Sequence, residues 1–211
     1  MNRSTKIALG VTLLATAAAL YIRWRGRKDD TDAPSLLDPI INQNLYHMDY
    51  DFRDQQNLSL GYRNNNPVNI RYVDNNKDGK EDNGWKGLEG KVTTVNGDYC
   101  VFRDMLYGYR AALVLLRGKG YINGGNDTIR KIITKFAPKK DSNNTAGYIQ
   151  RVSSYTGIDP DTKISRYDRD SLTRIVYAMS IVENDSNKYK EANHAAGLPS
   201  MDIINKAWEI M

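Results

Sequence analysis

Cysteine is nearly missing from this 211-residue chain: Cys100 stands alone, so no intramolecular disulfide and no multi-cysteine metal site can form. Its surroundings, Asp98-Tyr99-Cys100-Val101-Phe102, alternate like a strand and make it a small buried residue. Histidine is almost as scarce. His47 and His194 are too few for a histidine metal cluster, and there is neither a Gly-Lys-Ser/Thr phosphate loop nor a Gly-x-Ser-x-Gly elbow. Nucleophilic triads are therefore unsupported. The chain also lacks internal repeats, and the formal charge of +5 comes mostly from Arg3, Lys6, Arg23, Arg25, Arg27 and Lys28. Outside that stretch it is nearly neutral. With no basic stripe interleaved with aromatics, nucleic acid is not an expected partner.

Charge is absent altogether between Ile7 and Ile22, where IALGVTLLATAAALYI runs between Lys6 and Arg23 with Tyr21 and Trp24 at its end. Sixteen helical residues reach about 24 Å, and snorkelling Lys6 and Arg23 extend that toward the roughly 30 Å hydrocarbon core. A single membrane span over residues 7–22 is expected, with residues 1–28 as anchor and basic flank. A cleaved signal peptide is the alternative, given the small residues Ala15 to Ala19, but the arginine-rich flank favours an uncleaved anchor. A single-pass membrane location is therefore expected.

Residues 29–56 are polar, contain Pro34 and Pro39 and show no period, which reads as a tether. The whole chain is 40% apolar, and the remainder, 57–211, suits one globular core. Val68 to Val73 and the segment from Trp85 read as extended, and Lys91 to Val95 and Tyr99 to Phe102 flank Asn96-Gly97, a hairpin pattern. After Phe102 the period becomes helical. Leu106, Tyr109, Leu113 and Leu116 form one stripe; Ile129, Ile132, Ile133 and Phe136 form another, stopped by Pro138. A third helix spans 144–156 with Tyr148, Ile149, Val152 and Tyr155 inward and Gly157 as terminator; a fourth starts at Asp168, and a fifth covers 200–211. The expected class is α+β, mostly helical, with a small β-hairpin sheet.

Chemistry concentrates at Glu183. Positions 172, 175, 176, 179 and 183 are one helical stripe, and the other four are apolar, so the carboxylate points inward, in the last turn of its helix. Desolvation and the helix dipole both raise its pKa, which suits a general acid. The competing reading ties Glu183 to Arg110 or Arg151. A second candidate is Arg63 to Arg71, whose crowded amides, Asn66 and Asn69 among them, suit sugars or simply cap their own turn. A third is the loop of Asp74, Asn76, Asp78 and Asp82, which resembles the first half of a calcium loop but has Trp85 where the bidentate Glu belongs. Calcium there is possible in principle; no cofactor is required.

The run Gly61-Tyr62-Arg63-Asn64-Asn65-Asn66-Pro67-Val68-Asn69-Ile70-Arg71, followed by Trp85-Lys86-Gly87, Tyr107-Gly108-Tyr109-Arg110-Ala111, Ala137-Pro138 and Tyr148-Ile149, resembles a family of phage and prophage virion-associated proteins that are lysozyme-like, of lytic transglycosylase type. The resemblance covers about Gly61 to Asp185 and matches the family's Glu-Asn-Gly to Glu183-Asn184-Asp185. It departs at Val68, where Gly is usual, at Phe136, where Trp precedes Ala-Pro, and at Ser142-Asn143, where an acidic residue is common; Asp141 is one place away. The resemblance implies a lysozyme-like fold and cleavage of peptidoglycan glycan strands, with Glu183 as the catalytic acid. Asn66, Asn69, Arg71, Trp85, Arg110 and Tyr148 would bind substrate. Other virion proteins are possible partners, and the alternative is a non-catalytic virion or membrane protein that uses the same domain as a scaffold or glycan binder.

Overall fold

The computed structural model describes residues 50–139 and 143–211, which fall within one compact unit. The expected span at 7–22, with most of the tether, lies outside the described residues. Among those described, no helix is long and apolar enough to cross a membrane.

The architecture is α+β and mostly helical. A one-turn helix α1 (Leu60–Arg63) leads into a two-stranded antiparallel sheet, β1 (Leu88–Thr94) and β2 (Gly97–Phe102). Six helices follow: α2 (Met105–Arg117), α3 (Ile129–Phe136), α4 (Thr145–Thr156), α5 (Arg169–Asn184), α6 (Lys190–Ala195) and α7 (Met201–Glu209). The longest, α5, is the hub, packed against α1, α2, α4 and α7. Leu172, Ile175, Val176 and Met179 on it are fully buried, each stabilising the fold by roughly 1.5–3 kcal/mol. That burial fixes the line along which Glu183 leaves the core.

Local sequence sets the helix starts. Asp104, Thr128, Asn144, Asp168 and Ser200 each accept a hydrogen bond from the backbone N–H three residues on, satisfying a donor the helix leaves unpaired. At the other end of α4, Gly157 takes a left-handed φ of 68°, which ends the helix.

Four expectations change. The hairpin pairs Thr94 with Gly97, so its two-residue turn is Val95-Asn96 and Gly97 belongs to β2 with φ 111°. The stretch 68–73 contributes only an isolated bridge, Arg71 opposite Tyr99, flanked by hydrogen bonds from Cys100 N to Ile70 O and from Tyr72 N to Asp98 O. Tyr155 turns outward and is 54% exposed, because the inner face of α4 is already filled by Ile149 and Val152. Lastly, the globular fold reaches back to residue 50, into the stretch assigned to the tether. Phe52 is in the core, and Met105 N donates to Tyr50 O.

Candidate active site

Glu183 sits at the penultimate position of α5, where the helix runs out of the core into a groove of about 310 Å³. The lining is Asn143, Asn144, Gly147, Tyr148, Arg151, Val182 and Glu183, so the wall opposite α5 is the first two turns of α4. A more open depression of about 410 Å³ lies on another face of α4, around Arg130, Gln150 and Pro160, and contains no carboxylate in its lining.

Two side chains frame the carboxylate. Asn69 Nδ2 donates to Glu183 Oε2 at 2.9 Å from a residue held at φ 51°, in the left-handed region that asparagine tolerates. The buried Tyr148 hydroxyl lies within electrostatic reach of the carboxylate without closing a hydrogen bond of full geometry. Its ring packs edge-on against Phe136, centroids 6.4 Å apart. Burial, together with the neighbouring carboxylate, pushes the Tyr148 phenol well above its ordinary pKa, so it keeps its proton through the neutral range.

Burial raises the Glu183 pKa above the ordinary carboxylate value, and Asn69, Tyr148 and the distant charge of Arg71 only partly offset it. Among the described residues no arginine pairs with it. Arg110 donates instead to Ile210 O at 3.1 Å, tying α2 to the C-terminus, and Arg151 forms no ion pair among the described residues although it lines the groove. Glu183 is half-buried, so its carboxyl is dehydrated yet reachable.

The amide cluster divides. Asn66 is fully buried and all its groups are engaged: Nδ2 donates to Ile70 O and Cys100 O, and Oδ1 accepts from Ile70 N. No group is left for a ligand, which corrects its assignment to substrate. Asn65 likewise bridges Phe52, Asp51 and Phe102. Asn69 alone of the run reaches the groove acid. Gly61 makes that possible, since a Cβ there would lie 2.8 Å from Asn69 Oδ1 and 2.4 Å from Asn184 Oδ1.

Of the other expected residues, Arg71 is exposed, sits over the Tyr99 ring at 4.6 Å and donates to Asn96 O, contributing charge but not lining. Trp85 packs against the core with its indole N–H buried, outside the groove lining. Arg110 is structural, as its bond to Ile210 O shows. In the acidic loop, Asp74 accepts from the backbone N–H groups of Asp78 and Gly79, Asn76 and Asp78 cap the next residues, and Asp82 accepts from Asn75. Among the described residues no group of three or more acidic, histidine or cysteine side chains is placed to hold a metal. Asn143 occupies the groove rim, whereas Asp141 and Ser142 lie outside the described residues.

Sequence reasoning overlooked Asn184 and Asn193. Asn184 Nδ2 donates to Pro67 O and Ser180 O while its Oδ1 accepts from Ser59 Oγ; Asn193 bridges Ser59 N to Asn184 O and Asp185. These amides satisfy the carbonyl end of α5 and anchor the residue beside Glu183. The only hint in the sequence is an asparagine at a core position of an amphipathic stripe. Compared with family models and with curated proteins, the chain matches none.

Proposed function

We propose that this is a membrane-anchored, phage-encoded lytic protein that cleaves peptidoglycan glycan strands with Glu183 as its acid and base. One observation carries the reading: a carboxyl group with a raised pKa, free of any arginine clamp among the described residues, stands in an open groove lined by amides and a tyrosine. Polysaccharides suit such a lining, because planar amides match acetamido groups and hydroxyls.

Protonated Glu183 donates its proton to the glycosidic oxygen as the C1–O bond breaks, so the leaving sugar departs as a neutral alcohol. Positive charge develops at C1. A hydroxyl of the same sugar then attacks C1, and the Glu183 carboxylate takes the proton released, returning to its acid form. No water is consumed. Among the described groove residues Glu183 is the one carboxylate, which favours this intramolecular attack over hydrolysis by a carboxylate pair about 5–9.5 Å apart. Asn69 orients the carboxylate, and the nearby Tyr148 hydroxyl favours its ionised form. Residues 7–22 supply the membrane span and hold the domain at the envelope.

The same lone carboxylate favours a second reading, a glycan-binding scaffold without turnover. A peptidoglycan zymogram of the detergent-solubilised full chain separates the two. Clearing by the wild type that Glu183→Gln abolishes supports catalysis; equal clearing assigns the chemistry elsewhere; a protein that retains the glycan in pull-down but clears nothing is the scaffold.

A further inference from the structure

The stripe of α4 that lines the groove runs on beyond it. Asn144, Tyr148, Arg151 and Tyr155 are spaced by four, three and four residues, which sets them on one stripe of the helix surface. The first three line the groove, and Tyr155 is the next step, two turns or about 10 Å beyond Tyr148. Two features distinguish this end. Arg151 is exposed and unpaired among the described residues, whereas nearby Arg174 is committed to Asp170 and to Thr156 O, and Arg130 to Asp161. Tyr155 leaves 54% of its surface in solvent, more than any other aromatic near the groove.

A guanidinium with no partner among the described residues, one turn from an open aromatic face, is a recognition pair for a ring that bears a carboxylate: the ring stacks on the tyrosine, and the acid is met by the arginine. We propose that Arg151 and Tyr155 form a further subsite selecting the carboxylate-bearing sugar of the strand, so that the enzyme prefers an anionic glycan to a neutral one of equal length. This deepens the glycan-cleaving reading and rests on it. Charge complementarity supports the choice of ligand, because Arg151 is the one cationic side chain among the described residues that line the groove.

The test uses the full chain in detergent carrying Glu183→Gln, so that ligand is not consumed, and measures binding by calorimetry. Three probes of equal length are compared: a muramyl glycan with a free lactyl carboxylate, the same glycan bearing its stem peptide, and a neutral chitin oligosaccharide. Arg151→Gln is expected to weaken the first two about five- to tenfold, leave the neutral probe within twofold and flatten the salt dependence. Whichever anionic probe loses more identifies the carboxylate that Arg151 meets. Arg151→Lys recovers only part of the loss. Tyr155→Ala should weaken all three by about three- to tenfold, and Tyr155→Trp restore them. Both side chains are exposed, so unchanged melting temperatures verify the fold. Binding of all probes that neither substitution alters overturns the subsite while leaving catalysis by Glu183 intact, as does failure to bind any probe. Loss of clearing on Glu183→Gln in the parent protein is scored separately, and its absence overturns the underlying reading instead.

Discussion

Replacing Glu183 by Gln should abolish activity and yet stabilise the fold at neutral pH. The carboxylate stands in the last turn of α5, where the negative helix end disfavours an anion by about 0.3–1 kcal/mol, and burial adds to that penalty. Gln keeps the shape and the oxygen that accepts from Asn69 but carries no charge. For a domain of this size 1 kcal/mol moves the melting temperature by about 2–4 °C, so the dipole contribution alone predicts a rise of about 1–4 °C at pH 7. The direction with pH follows from a folded pKa raised above the unfolded one. The stability that protonated Glu183 contributes is fully present below the ordinary carboxylate range and is lost as pH rises through the raised folded value. Wild type and variant should therefore melt together near pH 4 and diverge at pH 7, which thermal unfolding followed by circular dichroism at the two values measures. Clearing of peptidoglycan should meanwhile fall about 10²–10⁴-fold, the usual contribution of a general acid. A variant that melts below wild type at pH 7 would refute the reasoning, because it would mean that the carboxylate has a stabilising partner.

Asn66→Ala removes the acceptor of the buried Ile70 N–H and one donor each to Ile70 O and Cys100 O, and should destabilise the domain by about 1–3 kcal/mol in urea unfolding, with no loss of glycan affinity per folded molecule. Asn69→Ala removes a bond that lowers the Glu183 pKa, so the limb of the pH–rate profile that reports this acid should move to higher pH; an unmoved limb contradicts its role. Deleting residues 1–28 should transfer the protein from membrane to soluble fractions with its melting temperature intact, and retention in the pellet counts against the anchor. Millimolar calcium should leave the melting temperature within 1 °C, since Asp74 and Asp82 are occupied by the loop itself; a larger rise would show the loop rebuilding into a ligand set.

Periodicity carried the helical layer. The stripes at 106–116, 129–136 and 172–183 were readable because each buries a continuous face, and the caps at Asp168 and Ser200 because side-chain oxygens there have a local job. The same stripe placed Glu183 at the mouth of the core. Where tertiary context decides, the reading faltered. Tyr155 fits an inward period yet has no room inside, and Val95 takes a turn position because the hairpin register is set by the pairing of Thr94 with Gly97. The amides between Arg63 and Arg71, Asn66 among them, read equally as sugar ligands or as caps of their own turn, since nothing in composition separates an asparagine facing a sugar from one facing backbone. Only long-range partners tell them apart, and Asn69 differs from Asn66 solely by pointing at a helix more than a hundred residues away.

The amides that hold the end of α5 join Ser59 and Pro67 to Asn184, and Ser59 to Asn193, across separations of 117 to 134 residues. A ribosome adding about 5–20 residues per second needs on the order of ten seconds to connect those partners. Until then the turn that carries Asn69 and the end of α5 that carries Glu183 are not tied together. The surroundings of Glu183 are therefore completed late, once Asn193 in α6 has joined Ser59.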